Sequence, residues 1–122
     1  MTLVLVTTWA SVDAQTLGTI RRDVWTGVGG SAIRDLTDLA AFPDSPSSSG
    51  SITLFEGPTN SGDNYGSRIV GYVHPVITGV YTFWLAGDDN CELWLSTDET
   101  PDHRQRIAQV PGWTNSRQWT KF

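Results

Sequence analysis

Short runs of β-branched and aromatic residues alternate along this chain with clusters of Gly, Pro, Asn and Asp, and the breaks come too often for long helices to form between them. Thr19 to Thr26 reads as a first strand, closed by Gly27-Val28-Gly29-Gly30. Ile33 to Phe42 differs: Ile33, Leu36, Leu39 and Ala40 recur at three- and four-residue spacing, Ser31 stands where an N-cap would, and Pro43 and Pro46 close the segment, so one short helix is expected. Ser45 to Gly50 reads as a loop and Ile52 to Phe55 as a short strand. A polar loop at 57–66 leads into a strand from Ser67 to His74. Val80 to Ala86 is apolar on both faces, the pattern of a central strand. Across the Gly87-Asp88-Asp89-Asn90 turn, the alternating Cys91 to Ser96 should pair with it as a hairpin. Arg106 to Val110 supplies another strand, and Gly112-Trp113 turns into Arg117 to Phe122.

Strands with turn signals between them, and no helices to bridge parallel pairs, give an all-β expectation: an antiparallel β-sandwich or barrel with one short helix. A chain of 122 residues is the size of one domain, and twelve Gly and six Trp suit a turn-rich β protein. The formal charge of −5, with no cluster of Lys or Arg, leaves nothing to neutralise phosphates or anionic headgroups, so nucleic acid and membrane surface are poor partners. Cys91 is the single cysteine, which rules out a disulfide framework and reads as a small buried hydrophobe.

Residues 1–16 read as a degenerate signal peptide, or as a linker or first strand. The run Leu3-Val4-Leu5-Val6 and the small-residue pattern Val12-Asp13-Ala14 before Gln15 favour a signal, and the lack of Lys or Arg ahead of the run opposes it. Residues 17–122 are left as the domain.

Several segments together resemble the PA14 (PA-fourteen, anthrax protective antigen type) family. The first half carries Gly18-Thr19-Ile20, Trp25-Thr26-Gly27, Asp35-Leu36-Thr37 and Phe55-Glu56-Gly57-Pro58. The second half is more specific: Asn64 to Val73, Gly79-Val80-Tyr81-Thr82-Phe83-Trp84, Asp88 to Ser96, and Ile107-Ala108 through Pro111-Gly112-Trp113 follow in the family's order. The resemblance implies a β-sandwich barrel found in bacterial toxins, yeast adhesins and glycoside hydrolases, where it is a non-catalytic glycan-binding module of secreted or cell-surface proteins, appended to other extracellular domains. It also implies further strands beyond the position of Phe122, so a C-terminally truncated barrel with open edges and poor solubility is expected.

Asp88-Asp89 is the pair with a functional reading, because two carboxylates on a turn at the mouth of a β structure offer hard oxygen ligands to Ca²⁺. Neighbouring side chains on an extended strand point apart, so both reach one ion only where the backbone bends sharply. The adhesin branch of the family implies a cis peptide between the two. Since Ca²⁺ takes six to eight oxygens, the resemblance implies that the others come from a second loop, water and sugar hydroxyls, with that loop in the part lying past Phe122. Asp88 and Asp89 are therefore the expected metal ligands, and Asp88, Asp89 and Asn90 the expected carbohydrate-binding residues. The alternative is that this Asp-Asp-Asn turn only shapes a hairpin, which would leave a structural or protein-interaction spacer.

Enzymatic chemistry finds no support in these residues. Adjacent aspartates on one turn do not straddle a sugar ring as a glycosidase pair about 5–9.5 Å apart must. His74 and His103 lie apart, and no phosphate loop or nucleophile elbow occurs. Trp25, Trp84 and Trp94 fall in expected strands and read as core; Trp113 and Trp119, near loops, are candidates for stacking on sugar. Asn60, Asp63, Asn64 and Tyr65 of the 57–66 loop could line a polar site.

Overall fold

The computed structural model describes residues 2–8 and 19–122. Its centre is one six-stranded sheet. In chain order the elements are β1 (Thr2–Thr8), β2 (Ile20–Thr26), α1 (Ile33–Thr37), β3 (Ser48–Ile52), β4 (Tyr65–Val73), β5 (Cys91–Ser96), a 3₁₀ turn at Pro101–His103, and β6 (Arg104–Val110). Across the sheet they lie in the order β3-β2-β4-β1-β5-β6. The fold is all-β with one short helix, as expected. The pairs β2–β3, β2–β4 and β5–β6 are antiparallel, whereas β1 lies parallel to both β4 and β5, which makes the sheet mixed. The Val12-Asp13-Ala14 pattern lies outside the described residues.

Three local expectations are corrected. First, the sheet gives Val80 to Ala86 no ladder. β4 already has β2 and β1 as neighbours, and β5 has β1 and β6, so neither has a free edge. The segment lays Phe83 and Leu85 against Leu93 of the sheet while Val80 is 99% and Trp84 63% exposed, and the expected hairpin with Cys91–Ser96 does not form. Second, the strand expected at 52–55 is shifted into the serine-rich stretch. In the register of β2 with β3, Asp23 faces Ser49, whose hydroxyl donates to the buried Asp23 carboxylate at 2.6 Å. A carboxylate without solvent must find donors nearby, and a serine on the edge strand meets that need. Third, α1 ends at Thr37 and its cap is not Ser31. Ala32 is the N-cap, and its amide donates to the Asp35 carboxylate at 2.9 Å, the reciprocal half of a capping box. Gly30, at φ +89°, makes the turn that brings the chain onto Asp35.

The two faces of the sheet are covered differently. On one, Trp25, Val28 and Leu36 form a buried cluster backed by Ile33, Leu39, Ala41 and Phe42. The Trp25 indole donates to the Ala41 carbonyl at 3.1 Å and its ring lies 5.0 Å from that of Phe42. Beside it, Asp23 is fully buried between Arg21 at 2.7 Å and Arg68 at 2.8 Å. Burial alone would push that carboxyl up in pKa, but hydrogen bonds from Ser49, Arg68 and Arg21 outweigh it and hold the group below its ordinary value. On the opposite face Leu93 packs with Phe55, Val73, Phe83, Leu85, Leu95 and Ala108. This face carries the cavity.

Candidate functional site

Alternation along the strands decides what meets the cavity. In β2, Asp23 and Trp25 turn to the covered face, so Arg22 turns to the other. In β4 the parity sends Ile69 and Val73 the same way, and in β5 it sends Leu93. These side chains floor an open cavity of about 1210 Å³. Three irregular segments wall it: the loop from Phe55 to Tyr65, the stretch from Phe83 to Asp89, and the stretch from Trp113 to Arg117 with Trp119.

Each wall has a local reason for its course. In the first loop Asn60 and Asn64 take positive φ values of 54° and 53°, a conformation that asparagine tolerates better than most residues. Ser61 donates to the Tyr65 hydroxyl at 2.9 Å and ties the loop back on itself. The second and third walls are fastened together. Thr114 donates its amide to the Gly87 carbonyl at 2.7 Å, and the Gly87 amide donates to the Thr114 hydroxyl at 2.9 Å. The third wall is fastened to the first by Arg117, which reaches both carboxylate oxygens of Glu56 at 2.8 to 3.2 Å. Hydrogen bonding to Arg117 holds the Glu56 carboxyl below its ordinary pKa.

Asp88 and Asp89 both line this cavity, directly after the pinned Gly87, and the peptide bond between them is cis. Asn90 lies outside the lining, half-buried at the entry to β5. Its neighbour Cys91 is fully buried, with its thiol pushed up to about 12, chiefly by burial, so it offers no thiolate to a metal or substrate. For calcium the donor chemistry is right, since carboxylate oxygens are its preferred ligands. The number is short: among the described residues no cluster of three or more acidic, His or Cys side chains is placed to hold a metal ion. Asp88 and Asp89 thus fit part of a calcium shell, and the remaining oxygens would have to come from elsewhere.

The loop at 57–66 lines the cavity through Asn60, Asp63, Asn64 and Tyr65, and Trp113 and Trp119 stand at its edge, 52% and 48% exposed. Trp84, expected in the core, is instead exposed and lines the same cavity; Trp94 is half-buried. Trp25 is buried as expected. His74 is exposed, and His103, also exposed, pairs with Asp98, so neither histidine enters the site. Two cavity residues carry no sequence signal of their own, Arg22 and Thr114. Arg22 stands between other polar residues in a strand, and Thr114 in a turn, and only the tertiary arrangement gives either a role.

Comparison with known proteins follows the same lines. The PA14 domain family model matches residues 33–118, well over half of the chain and including the Asp88-Asp89 turn. Over 63 residues, 48% of this chain, the sequence is 46% identical to the Mus musculus N-acetyl-beta-glucosaminyl-glycoprotein 4-beta-N-acetylgalactosaminyltransferase 1, and the match covers 6% of that protein. The chain therefore corresponds to a small part of this relative's length. No solved structure matches it. The sheet, the cavity and the matched residues lead to one conclusion: this chain belongs to the PA14 domain family.

Proposed function

We propose that this chain is a non-catalytic glycan-binding module of a secreted or cell-surface protein, and that the cavity walled by the three loops is where the sugar sits. PA14 domains are often carbohydrate-binding modules, and the relative that matches half of this chain is named for acting on a glycoprotein glycan. The observation that carries the reading is the lining itself. Trp84, Trp113 and Trp119 offer aromatic faces for sugar C–H surfaces around an open cavity whose walls also present Asn60, Asp63, Asn64, Asp88 and Asp89 to hydroxyls. Asp88 and Asp89 are the polar anchor, with Asn90 beside them at the rim for sugar hydroxyls, and Ca²⁺ is the cation the pair would take. Bound there, calcium would supply a charge that neutral hydroxyls can coordinate. In the parent protein the module would hold a larger assembly against a polysaccharide.

The test is glycan-array binding followed by titration calorimetry, with and without a calcium chelator, alongside Asp88→Ala. Binding should weaken at least tenfold in the variant and on chelation. Full affinity in both conditions would remove the aspartate pair and the cation from the site.

A protein-interaction spacer is the second reading. It is favoured by the exposure of Val76, Ile77 and Val80 at 93%, 72% and 99%, an apolar run that suits contact with another protein better than with water. It expects no sugar binding in any condition.

A further inference from the structure

Arg22 is a half-buried guanidinium on the cavity floor that has no carboxylate partner among the described residues. None of the ion pairs formed among the described residues includes it, and its Nε is buried without a hydrogen-bond partner. Among the described residues its directed contact is the Tyr65 ring, 5.8 Å from the guanidinium carbon. The loop backbone passes beside it, since a Cβ added at Gly57 would lie 3.6 Å from its Nε. The acid next along that loop is Glu56, but Glu56 is fully engaged by Arg117. Asp23, its neighbour in β2, faces the other side of the sheet and is held by Arg21 and Arg68. Arg68 also stacks over aromatic rings and its Nε is likewise buried without a partner, but its Nη2 has the Asp23 carboxylate at 2.8 Å, so what sets Arg22 apart is the missing carboxylate.

Partly desolvating a charge without a partner is unfavourable, and a planar guanidinium is matched best by a planar carboxylate taken in two parallel hydrogen bonds. With Glu56 and Arg117 neutralising each other, the lining retains one cation against Asp63, Asp88 and Asp89. The lining is therefore net negative by two, so a multiply charged anion is repelled and a single carboxylate is held only where it sits directly on the Arg22 guanidinium. We propose that Arg22 is the acid-recognising subsite of the cavity, and that the glycan bound there carries a carboxylate, as a uronic acid or other acidic sugar does. The inference rests on the glycan-binding reading above and adds the class of sugar to it.

The experiment compares an oligouronide with the same oligomer after reduction of its carboxyl groups to the neutral hexose, titrated into the full chain, into Arg22→Gln and into Arg22→Lys. A sulfated oligosaccharide of equal length is the control for charge alone. The wild-type chain should bind the acidic oligomer about tenfold or more tighter than its reduced form, the range of a charge-assisted hydrogen bond pair. It should not favour the sulfated one. Arg22→Gln should lose the preference, its affinities for the acidic and reduced oligomers becoming equal, and Arg22→Lys, which keeps the charge but not the fork, should keep only part of it. Equal affinity of the wild-type chain for the acidic and reduced oligomers overturns the proposal without needing any variant to fold, and leaves the glycan-binding reading standing. A preference for the sulfated oligomer also overturns it, in favour of simple charge attraction. If neither oligomer nor any array glycan binds, the glycan reading itself falls and the proposal with it.

Discussion

Thr114 and Gly87 hold each other by reciprocal hydrogen bonds, amide to carbonyl at 2.7 Å and amide to hydroxyl at 2.9 Å, although 27 positions separate them in the chain. Gly87 immediately precedes the Asp88-Asp89 turn, and Thr114 lies next to Trp113 at the cavity edge. The pair therefore sets the position of the two acids relative to the aromatic wall. Thr114 is 5% exposed, so its hydroxyl has no ready substitute in water.

Thr114→Val keeps the shape of the side chain and removes the hydroxyl. The Gly87 amide then loses its acceptor, a buried unsatisfied donor that should cost about 1–3 kcal/mol. Chemical denaturation should show that loss, and glycan titration should show weaker binding than the stability change alone explains. Wild-type binding in a destabilised Thr114→Val would separate the fastening from the site.

Asp23 is the electrostatic keystone of the covered face. Asp23→Ala leaves Arg68 without its carboxylate in a setting where Arg68 is only 20% exposed, and breaking such a pair typically costs about 3–5 kcal/mol. The measurement is equilibrium unfolding in urea. A loss below 1 kcal/mol, on the scale of a surface pair, would show that the arginines rearrange freely into solvent.

The same group predicts acid lability. Because Asp23 titrates lower in the folded chain than in the unfolded one, its stabilisation is complete above the ordinary carboxylate value and is lost as pH falls through the folded one. Asp98, drawn to about 2 mainly by His103, follows the same sign. His103 has the opposite sign: hydrogen bonding to Asp98 raises its pKa, so its contribution is present at acid pH and lost as pH rises through the folded value, above 6.5. Thermal melts across pH should show a steep loss below about pH 4 that is reduced in Asp23→Asn. They should also show a shallow decline as pH rises past 6.5 that is absent in His103→Asn.

Much of the sheet is legible from side-chain alternation, and the reason is visible at particular positions. Cys91, Leu93 and Leu95 alternate against Glu92 and Trp94, and β5 forms over those residues. Trp25 sits in a β-branched run and is buried. Val80 to Ala86 misleads because an apolar run records only that its residues avoid water. Whether it joins a sheet depends on a free edge, and β1 occupies the place between β4 and β5. β3 misleads in the reverse sense, since Ser49 belongs to a strand through its bond to Asp23, a partner 26 positions away. The site divides in the same manner. Asp88, Asp89 and the polar loop announce themselves by composition, whereas Arg22 differs from Arg21 only in the face it takes, and the absence of a partner is a property of the fold.

Gly66 tests the packing of the covered face. It lies opposite Trp25 in the β2–β4 ladder, and a Cβ there would stand 2.9 to 3.1 Å from three side-chain carbons of Leu36, which is fully buried. Gly66→Ala should therefore overpack the cluster and cost about 1–3 kcal/mol. Adding Leu36→Val should recover part of that loss by yielding volume. A neutral Gly66→Ala would mean that α1 shifts without resistance.

The aromatic wall separates glycan binding from scaffolding. Trp84 and Trp119 are 63% and 48% exposed, so replacing either by Ala removes little buried surface and should leave the melting temperature nearly unchanged. If sugar stacks on these rings, each replacement should weaken binding roughly five- to tenfold, as truncations that remove about 1–1.4 kcal/mol do. The two losses should combine to less than their sum where both rings grip one sugar, because either truncation alone already loosens the other contact. Trp25→Ala supplies the contrast: its buried indole packs against Phe42 and donates to Ala41, so it should unfold the chain rather than alter affinity. Titration calorimetry beside thermal melts reads both quantities on the same samples. Unchanged affinity in the Trp84 and Trp119 variants would place the sugar away from this wall and leave the exposed tryptophans to a protein contact.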